Sequence, residues 1–373
     1  MNSPKLDKLL QSCVQCGLCL SHCATYLVTG NEVLSPRGRL QLLKHWQNNT
    51  PDSDQFDALD SCIGCLACES ACPSGVPYDL IEQGKSRATP GWRTHLAKPL
   101  SSPAVLNTLS KISDSGIGHA SNVTPKSMSD AKLVSMLDDL AGQKTVLRKT
   151  IGKTGPSVML FPGCVNSTML FNSQNRLIQL LQSAGCEVEF PRAWNCCGAV
   201  ASHLDNHHLA ETQHKQNLET DCDFIVVEAA GCGRELKEYA GEKVIDAALL
   251  LSKLNLELMK THLKVAMHYP CHSLHGQKIV EEPKQLLNNS VQAIDPHEPE
   301  VCCGSGGTFT LFHKELSIQA GKRKAEMLTD TNSDLAITSN AGCLGQLSNS
   351  LGETTPIIPL TDLVWYLQTR SKA

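Results

Sequence analysis

The chain has 373 residues, 41% of them hydrophobic and 19% charged, with a formal net charge of −4. That is the balance of a globular protein rather than a disordered one, with length for about two or three domains at roughly 100–200 residues each. It lacks the basic surplus that nucleic-acid binding asks for. No apolar run approaches the ~20 residues that span a bilayer, and the opening Met1-Asn2-Ser3-Pro4-Lys5-Leu6-Asp7 has no apolar signal core. The expected location is the cytoplasm, with peripheral docking on the inner face of the cytoplasmic membrane through a partner. Eighteen cysteines are far above ordinary usage.

Residues 1–90 hold two copies of one cysteine pattern. The first is Cys13-Val14-Gln15-Cys16-Gly17-Leu18-Cys19-Leu20-Ser21-His22-Cys23, and the second runs from Cys62 through Cys65 and Cys68 to Cys72-Pro73. Both read C-x2-C-x2-C-x3-C, the spacing of two-cluster bacterial ferredoxins. Three thiolates two residues apart wrap one iron–sulfur cube, while the fourth starts a helix and reaches the other cube. The crossing rule predicts one [4Fe–4S] cluster on Cys13, Cys16, Cys19 and Cys72, and another on Cys62, Cys65, Cys68 and Cys23. The first run ends Cys23-Ala24 instead of Cys-Pro, which removes a φ lock at the helix start but no ligand. The rival assignment is a pair of zinc sites, but zinc usually draws on two separated pairs of ligands. Two complete runs of four favour iron–sulfur, and a reducing cytosol disfavours disulfides.

Between the runs, Ser35 reads as an N-cap and Pro36 as a first-turn proline. Leu40, Leu43 and Trp46 then share a helical face. Arg37 and Arg39 open this helix, either as positive charge near anionic clusters or as ordinary surface arginines. Residues 91–155 contain no cysteine and are rich in Ser, Lys, Asp and Gly. They read as a helical connector, with a short amphipathic helix over residues 127–140.

From residue 156 a second internal repeat begins. Over residues 156–262 its stations are Phe161-Pro162-Gly163-Cys164, Asn195-Cys196-Cys197-Gly198 and Ala230-Gly231-Cys232-Gly233. Over residues 263–373 they are His268-Tyr269-Pro270-Cys271, Val301-Cys302-Cys303-Gly304 and Ala341-Gly342-Cys343-Leu344. Aliphatic runs precede four of the six stations: 157–161, 224–227, 263–267 and 335–338. Each is followed by Gly, Pro or Asn, as a buried strand is followed by a turn. Helical stretches such as 170–184 and 203–218 lie between, which predicts parallel α/β units. In such sheets sites form beyond the carboxyl ends of the strands, so the cysteines should converge in one crevice per half or in one shared crevice. The expected fold is therefore α+β and α/β: a helical two-[4Fe–4S] ferredoxin-like N-terminal domain followed by a duplicated α/β Cys-Cys-Gly domain.

The two Cys-Cys-Gly stations resemble the cysteine-rich domain found twice in heterodisulfide reductases and in the iron–sulfur subunits of glycolate, lactate and anaerobic glycerol-3-phosphate oxidising complexes. That motif usually ends in C-x-x-C. Here Cys232 is followed by Gly233, Arg234 and Glu235, and Cys343 by Leu344, Gly345 and Gln346, so the last cysteine is absent from both halves. Cys164, Cys196, Cys197 and Cys232, with Cys271, Cys302, Cys303 and Cys343, are thus a candidate further cluster or thiol site. A four-iron cluster per half, one cluster shared between halves, a metal-free thiol site and plain buried cysteines all remain open. Cys186 and Cys222 stand outside the motif and read as packing residues. His203, His207 and His208, and His268, His272 and His275, are candidate proton relays beside these stations. Ser305-Gly306-Gly307 lacks the lysine of a phosphate loop and reads as backbone approaching the cysteine site.

The whole order resembles the glycolate oxidase (glycolate dehydrogenase) iron–sulfur subunit family. The resemblance rests on the first cysteine run, Ser35-Pro36-Arg37-Gly38-Arg39, Cys72-Pro73-Ser74-Gly75-Val76, His268-Tyr269-Pro270-Cys271-His272 and Cys302-Cys303-Gly304-Ser305-Gly306-Gly307-Thr308. It implies an electron-transfer subunit with no catalytic residue of its own. An FAD-containing 2-hydroxy-acid dehydrogenase partner would oxidise glycolate or D-lactate, and a quinone-type acceptor would take the electrons. The rivals are an iron–sulfur subunit for L-lactate or glycerol-3-phosphate oxidation, and a heterodisulfide-reductase-like enzyme.

Overall fold

The computed structural model describes residues 4–46, 52–77, 79–102, 105, 154–191, 194–287, 289–352 and 354–371. The amphipathic helix expected over residues 127–140 lies outside them. The N-terminal part is helical: Pro4–Gln11, Ala24–Thr29, Pro36–Trp46, Ser53–Asp60, Ala67–Ser70, Asp79–Ala88 and Gly91–Leu100. Ser35 caps Pro36–Trp46 as expected, its hydroxyl accepting the Gly38 amide at 3.1 Å. Leu40, Leu43 and Trp46 turn inward onto Leu10, Leu59, Leu80 and Ile81. Helix Asp79–Ala88 lies so close that a Cβ on Gly84 would come 2.1 Å from Leu43 Cδ2. One expectation is corrected. Cys23 does cap a helix, Ala24–Thr29, but Cys72 does not start one, because Pro73 to Pro77 run as turn and coil before Asp79–Ala88.

Two four-stranded parallel sheets follow. Strands β1 (Ser157–Phe161), β2 (Glu187–Glu189), β3 (Phe224–Val227) and β4 (Val244–Asp246) lie in the order β2-β1-β3-β4. Strands β5 (Lys264–Met267), β6 (Gln292–Ile294), β7 (Leu335–Thr338) and β8 (Ile357–Pro359) repeat it as β6-β5-β7-β8. The central strands are buried on both faces, which is why they read as unbroken aliphatic runs rather than alternating ones.

The halves share one core. Leu160 and Val226 of the first sheet, and Val265, Met267, Leu335 and Ile337 of the second, belong to a single apolar cluster with Leu177, Leu181, Leu363 and Leu367. Each such side chain, fully buried, contributes about 1.5–3 kcal/mol. Helix Phe171–Ser183 packs on helix Leu360–Ser371 across the join. There Arg176 pairs with Asp362 at 2.8 Å and lies over the Trp365 ring.

The helical part is tied to both halves. Asp60, 1% exposed, accepts from Arg93 at 2.6 Å, Lys85 at 3.1 Å and His313 of the second half at 2.7 Å. The Arg93 guanidinium also sits 4.1 Å from the Phe312 ring centroid. His272 meets the Gly64 carbonyl at 2.9 Å, and His22 meets Glu300 at 3.2 Å. Toward the first half, Asn206 donates to the Thr94 carbonyl and Gln213 to the Ser101 hydroxyl, both at 3.2 Å.

Candidate metal centres

Each ferredoxin-type run curls through two left-handed residues at matching places. In the first they are Gln15 (φ 59°) and Gly17 (φ 85°), in the second Gly64 (φ 77°) and Leu66 (φ 64°). One of each pair is glycine; the other carries a side chain in a conformation costing on the order of 1–3 kcal/mol. Such turns aim successive amides into a concavity suited to an anion. Two cavities result. The first, of about 540 Å³, is lined by Cys13, Cys16, Cys19 and Cys72, with Cys68 and Arg37 at its wall. The second, of about 350 Å³, is lined by Cys62, Cys65, Cys68 and Cys23, with Arg39. Cys72 therefore lies with the first run and Cys23 with the second, the crossed arrangement.

The two arginines of the helix starting at Pro36 have separate fates. Arg37 pairs with Glu32 at 2.6 Å and donates to the Gln15 carbonyl at 3.1 Å, bracing the first loop from outside. Arg39 is 1% exposed. It donates to the Ala58 carbonyl, Thr25 and Ser61, and among the described residues no carboxylate pairs with it. A buried guanidinium without a counter-ion is costly. The second cavity supplies the missing negative charge if thiolates fill it: burial pushes the Cys62 thiol up, the Cys302 contact and then burial push Cys65 up, and Arg39 pulls both down. The first cavity's Cys19 is pushed up to about 11 by burial. Crowded buried thiols cannot all ionise unless a cation lies between them, so the donor set fits metal clusters. Arg39→Met is expected to lower the reduction potential of the second centre by about 59 mV, the one-electron equivalent of ~1.4 kcal/mol. Redox-monitored EPR checks this; an unchanged potential would remove Arg39 from the electrostatics of the site.

In the C-terminal halves each quartet gathers separately, beyond the carboxyl ends of its strands. The order β2-β1-β3 puts the reversal of strand order between β1 and β3, where such parallel sheets open a crevice. Cys164 follows β1, Cys196 and Cys197 follow β2, and Cys232 follows β3. Cys164 Sγ is 3.8 Å from Cys196 Sγ, and Cys197 contacts both Cys196 and Cys232. In the second half Cys302 Sγ is 3.7 Å from Cys271 Sγ, and Cys303 contacts Cys302 and Cys343. Cys186 and Cys222 lie in apolar cores, as packing residues should.

Three features escaped the sequence. Cys65 of the second run makes a thiol contact with Cys302 of the second half, so these two cysteine sites are neighbours. Gly306 (φ 48°) makes this possible: a Cβ there would lie 2.9 Å from Ile63 Cγ2. Second, Lys324 is fully buried, its Nζ donating to the Glu298 and Pro299 carbonyls at 3.1 and 3.0 Å. Burial holds its ammonium down at about 8, with Cys303 and Cys302 pulling it back up. Third, a cavity of about 490 Å³ lies where the second run meets both halves, lined in part by Cys62, Lys85, His203 and Thr308. Of the other histidines, His272 and His275 hold backbone carbonyls, His207 pairs with Asp205 at the surface, and His208 is exposed.

Residues 9–76 match the 4Fe-4S dicluster domain, and residues 158–237 and 265–348 each match the cysteine-rich domain. The chain is 29% identical over 392 residues to the glycolate oxidase iron–sulfur subunit of Escherichia coli (strain K12), covering 94% of this chain and 92% of that one. It is 28% identical over 391 residues to the probable glycolate oxidase iron–sulfur subunit of Bacillus subtilis (strain 168), covering 91% and 88%. Lactate utilization protein A of the same Bacillus strain is 27% identical over 236 residues, 57% of this chain and 99% of that one. No helix among the described residues is long and apolar enough to cross a membrane.

Proposed function

This chain is a homologue of the glycolate oxidase iron–sulfur subunits, a 4Fe-4S dicluster domain followed by two cysteine-rich domains, and from that premise we propose that it is the electron-transfer subunit of a glycolate or D-lactate dehydrogenase complex. An FAD-containing partner subunit oxidises the 2-hydroxy acid, because that two-electron step needs a hydride-accepting cofactor, which iron–sulfur clusters are not. A quinone-type acceptor takes the electrons. When bound, the two [4Fe–4S] clusters supply one-electron carriage between a two-electron donor and that acceptor.

The chain's residues hold and orient these carriers. Cys13, Cys16, Cys19 and Cys72 ligate the first cluster, and Cys62, Cys65, Cys68 and Cys23 the second. The two cysteine-lined cavities support this assignment. The first loop presents Val14 and Leu18 to solvent, 69% and 55% exposed, which suits the side facing the flavin partner. Arg39 balances charge at the second site. The observation that carries the reading is the packing of Cys65 against Cys302, which brings the second cysteine run next to the second cysteine-rich domain.

The test is anaerobic mixing of the iron-loaded chain with its flavin subunit. Glycolate or D-lactate should bleach the cluster absorbance only when the flavin subunit is present. Bleaching by glycerol 3-phosphate or L-lactate alone would move the chain to another complex. Disulfide reduction by the chain with an artificial donor and no flavin partner would make it an enzyme in its own right.

A further inference from the structure

The two halves share a topology but not the chemistry around their quartets. In the second half, one ring nitrogen of His268 and the sulfurs of Cys303 and Cys343 all lie within 4.8 Å of one another, and all three residues are buried. His268 directly follows β5 and aligns with Phe161 at the end of β1, each three residues before the first cysteine of its half. Its Nδ1 is 2.9 Å from the Thr338 hydroxyl. That bond fixes the ring and leaves Nε2 as the nitrogen free to ligate, the arrangement that metal-binding histidines use.

Two further differences point the same way. The Asn340 amide donates to Cys343 Sγ at 3.2 Å, where the first half has Ala229 ahead of its own Ala-Gly-Cys station. Lys324 is a buried cation with no carboxylate partner among the described residues. On the matching helix of the first half, Asn217 donates to the Cys196 carbonyl instead. Four thiols, an imidazole, a donor to sulfur and a buried positive charge together ask for an anionic centre. Four thiolates already complete a tetrahedral zinc site and would leave the histidine idle, whereas a larger cluster uses all five donors.

We propose that His268 is a nitrogen ligand of an iron–sulfur cluster in the second half, held otherwise by Cys271, Cys302, Cys303 and Cys343. Phe161 denies the first half this ligand set. The assignment goes beyond the electron-transfer function proposed above and does not depend on which flavin partner donates.

The experiment is pulsed EPR on the full iron-loaded chain, purified anaerobically from cells supplied with natural-abundance or nitrogen-15 histidine. The wild type should show a strong nitrogen coupling that changes with the histidine isotope. It should also carry more iron than the dicluster domain accounts for. His268→Phe, which copies the first half, should lose the coupling and leave the signals of the two N-terminal clusters unchanged; His268→Cys should keep the extra iron without the coupling. An isotope-insensitive wild-type spectrum, a coupling that survives in His268→Phe, or zinc in place of the additional iron would each overturn the proposal. The wild-type isotope comparison decides even if His268→Phe does not fold. Failure of the proposed electron-transfer function would appear separately, as N-terminal clusters that the flavin partner does not reduce.

Discussion

Replacing Cys65 by Ser should remove the second cluster and lower acceptor reduction by at least ~100-fold, equivalent to ~2.7 kcal/mol in barrier. Iron should fall by about four atoms per chain, one cube's worth. The partner's flavin should still be reduced by substrate at its normal rate, because Cys65 faces Cys302 of the second half and is separate from the exposed Val14 and Leu18 proposed to meet that partner. Serine keeps a hydroxyl where the thiol meets Cys302, so the loss would follow from the missing ligand rather than from undocking. Stopped-flow absorbance of the flavin and clusters separates the two events. Normal acceptor reduction by the variant would show that the second run is outside the electron path.

Asp60→Asn should have the largest effect on stability. It strips the negative charge from a buried carboxylate that faces Lys85, Arg93 and His313. Removing one side of a buried ionic network costs on the order of 3–5 kcal/mol. The dicluster domain should loosen from the second half, read as faster proteolysis between them and a lower thermal midpoint. The pH dependence has a definite sign. Burial alone would push Asp60 up, but the His313 hydrogen bond and the Lys85 and Arg93 charges hold it well below the usual carboxylate range. A depressed folded value gives stability that is present above the unfolded pKa, about 3.9, and is lost as pH falls through the folded one. The gap between wild type and variant should therefore narrow as the pH drops below about 4. A gap of constant size from neutral to strongly acid pH would exclude the charge as its source.

Much of this architecture was legible in the residues, because its signals are local. Cys-x2-Cys spacing dictates a tight loop, and the aliphatic runs at 157–161, 224–227 and 335–338 appear as β1, β3 and β7. Edge strands such as Glu187–Glu189 and Gln292–Ile294 were illegible: three residues carry too little pattern to mark a strand. The expected helix 203–218 breaks around Asp205, which adopts φ 60°, into Ala199–His203 and His207–Asn217. Arg39 could have been placed. It stands four residues before Leu43 and seven before Trp46, on the face that buries both. His268 was likewise visible as the one polar residue aligned with Phe161. The Cys65–Cys302 contact had no sequence signal, since it joins segments far apart in the chain through docking of whole domains.

That contact also constrains how the molecule is made. The second cysteine loop is roofed by Ile63, Gly306, Phe309 and Cys302, and its cavity is walled by Thr25, Arg39 and Ile81. Docking therefore bears on one loop more than the other: the cysteine-rich half packs against the second loop, while the first keeps Cys16 exposed whether or not the domains have met. If both loops take up clusters as proposed, the second is the one whose loading would respond to the timing of domain docking.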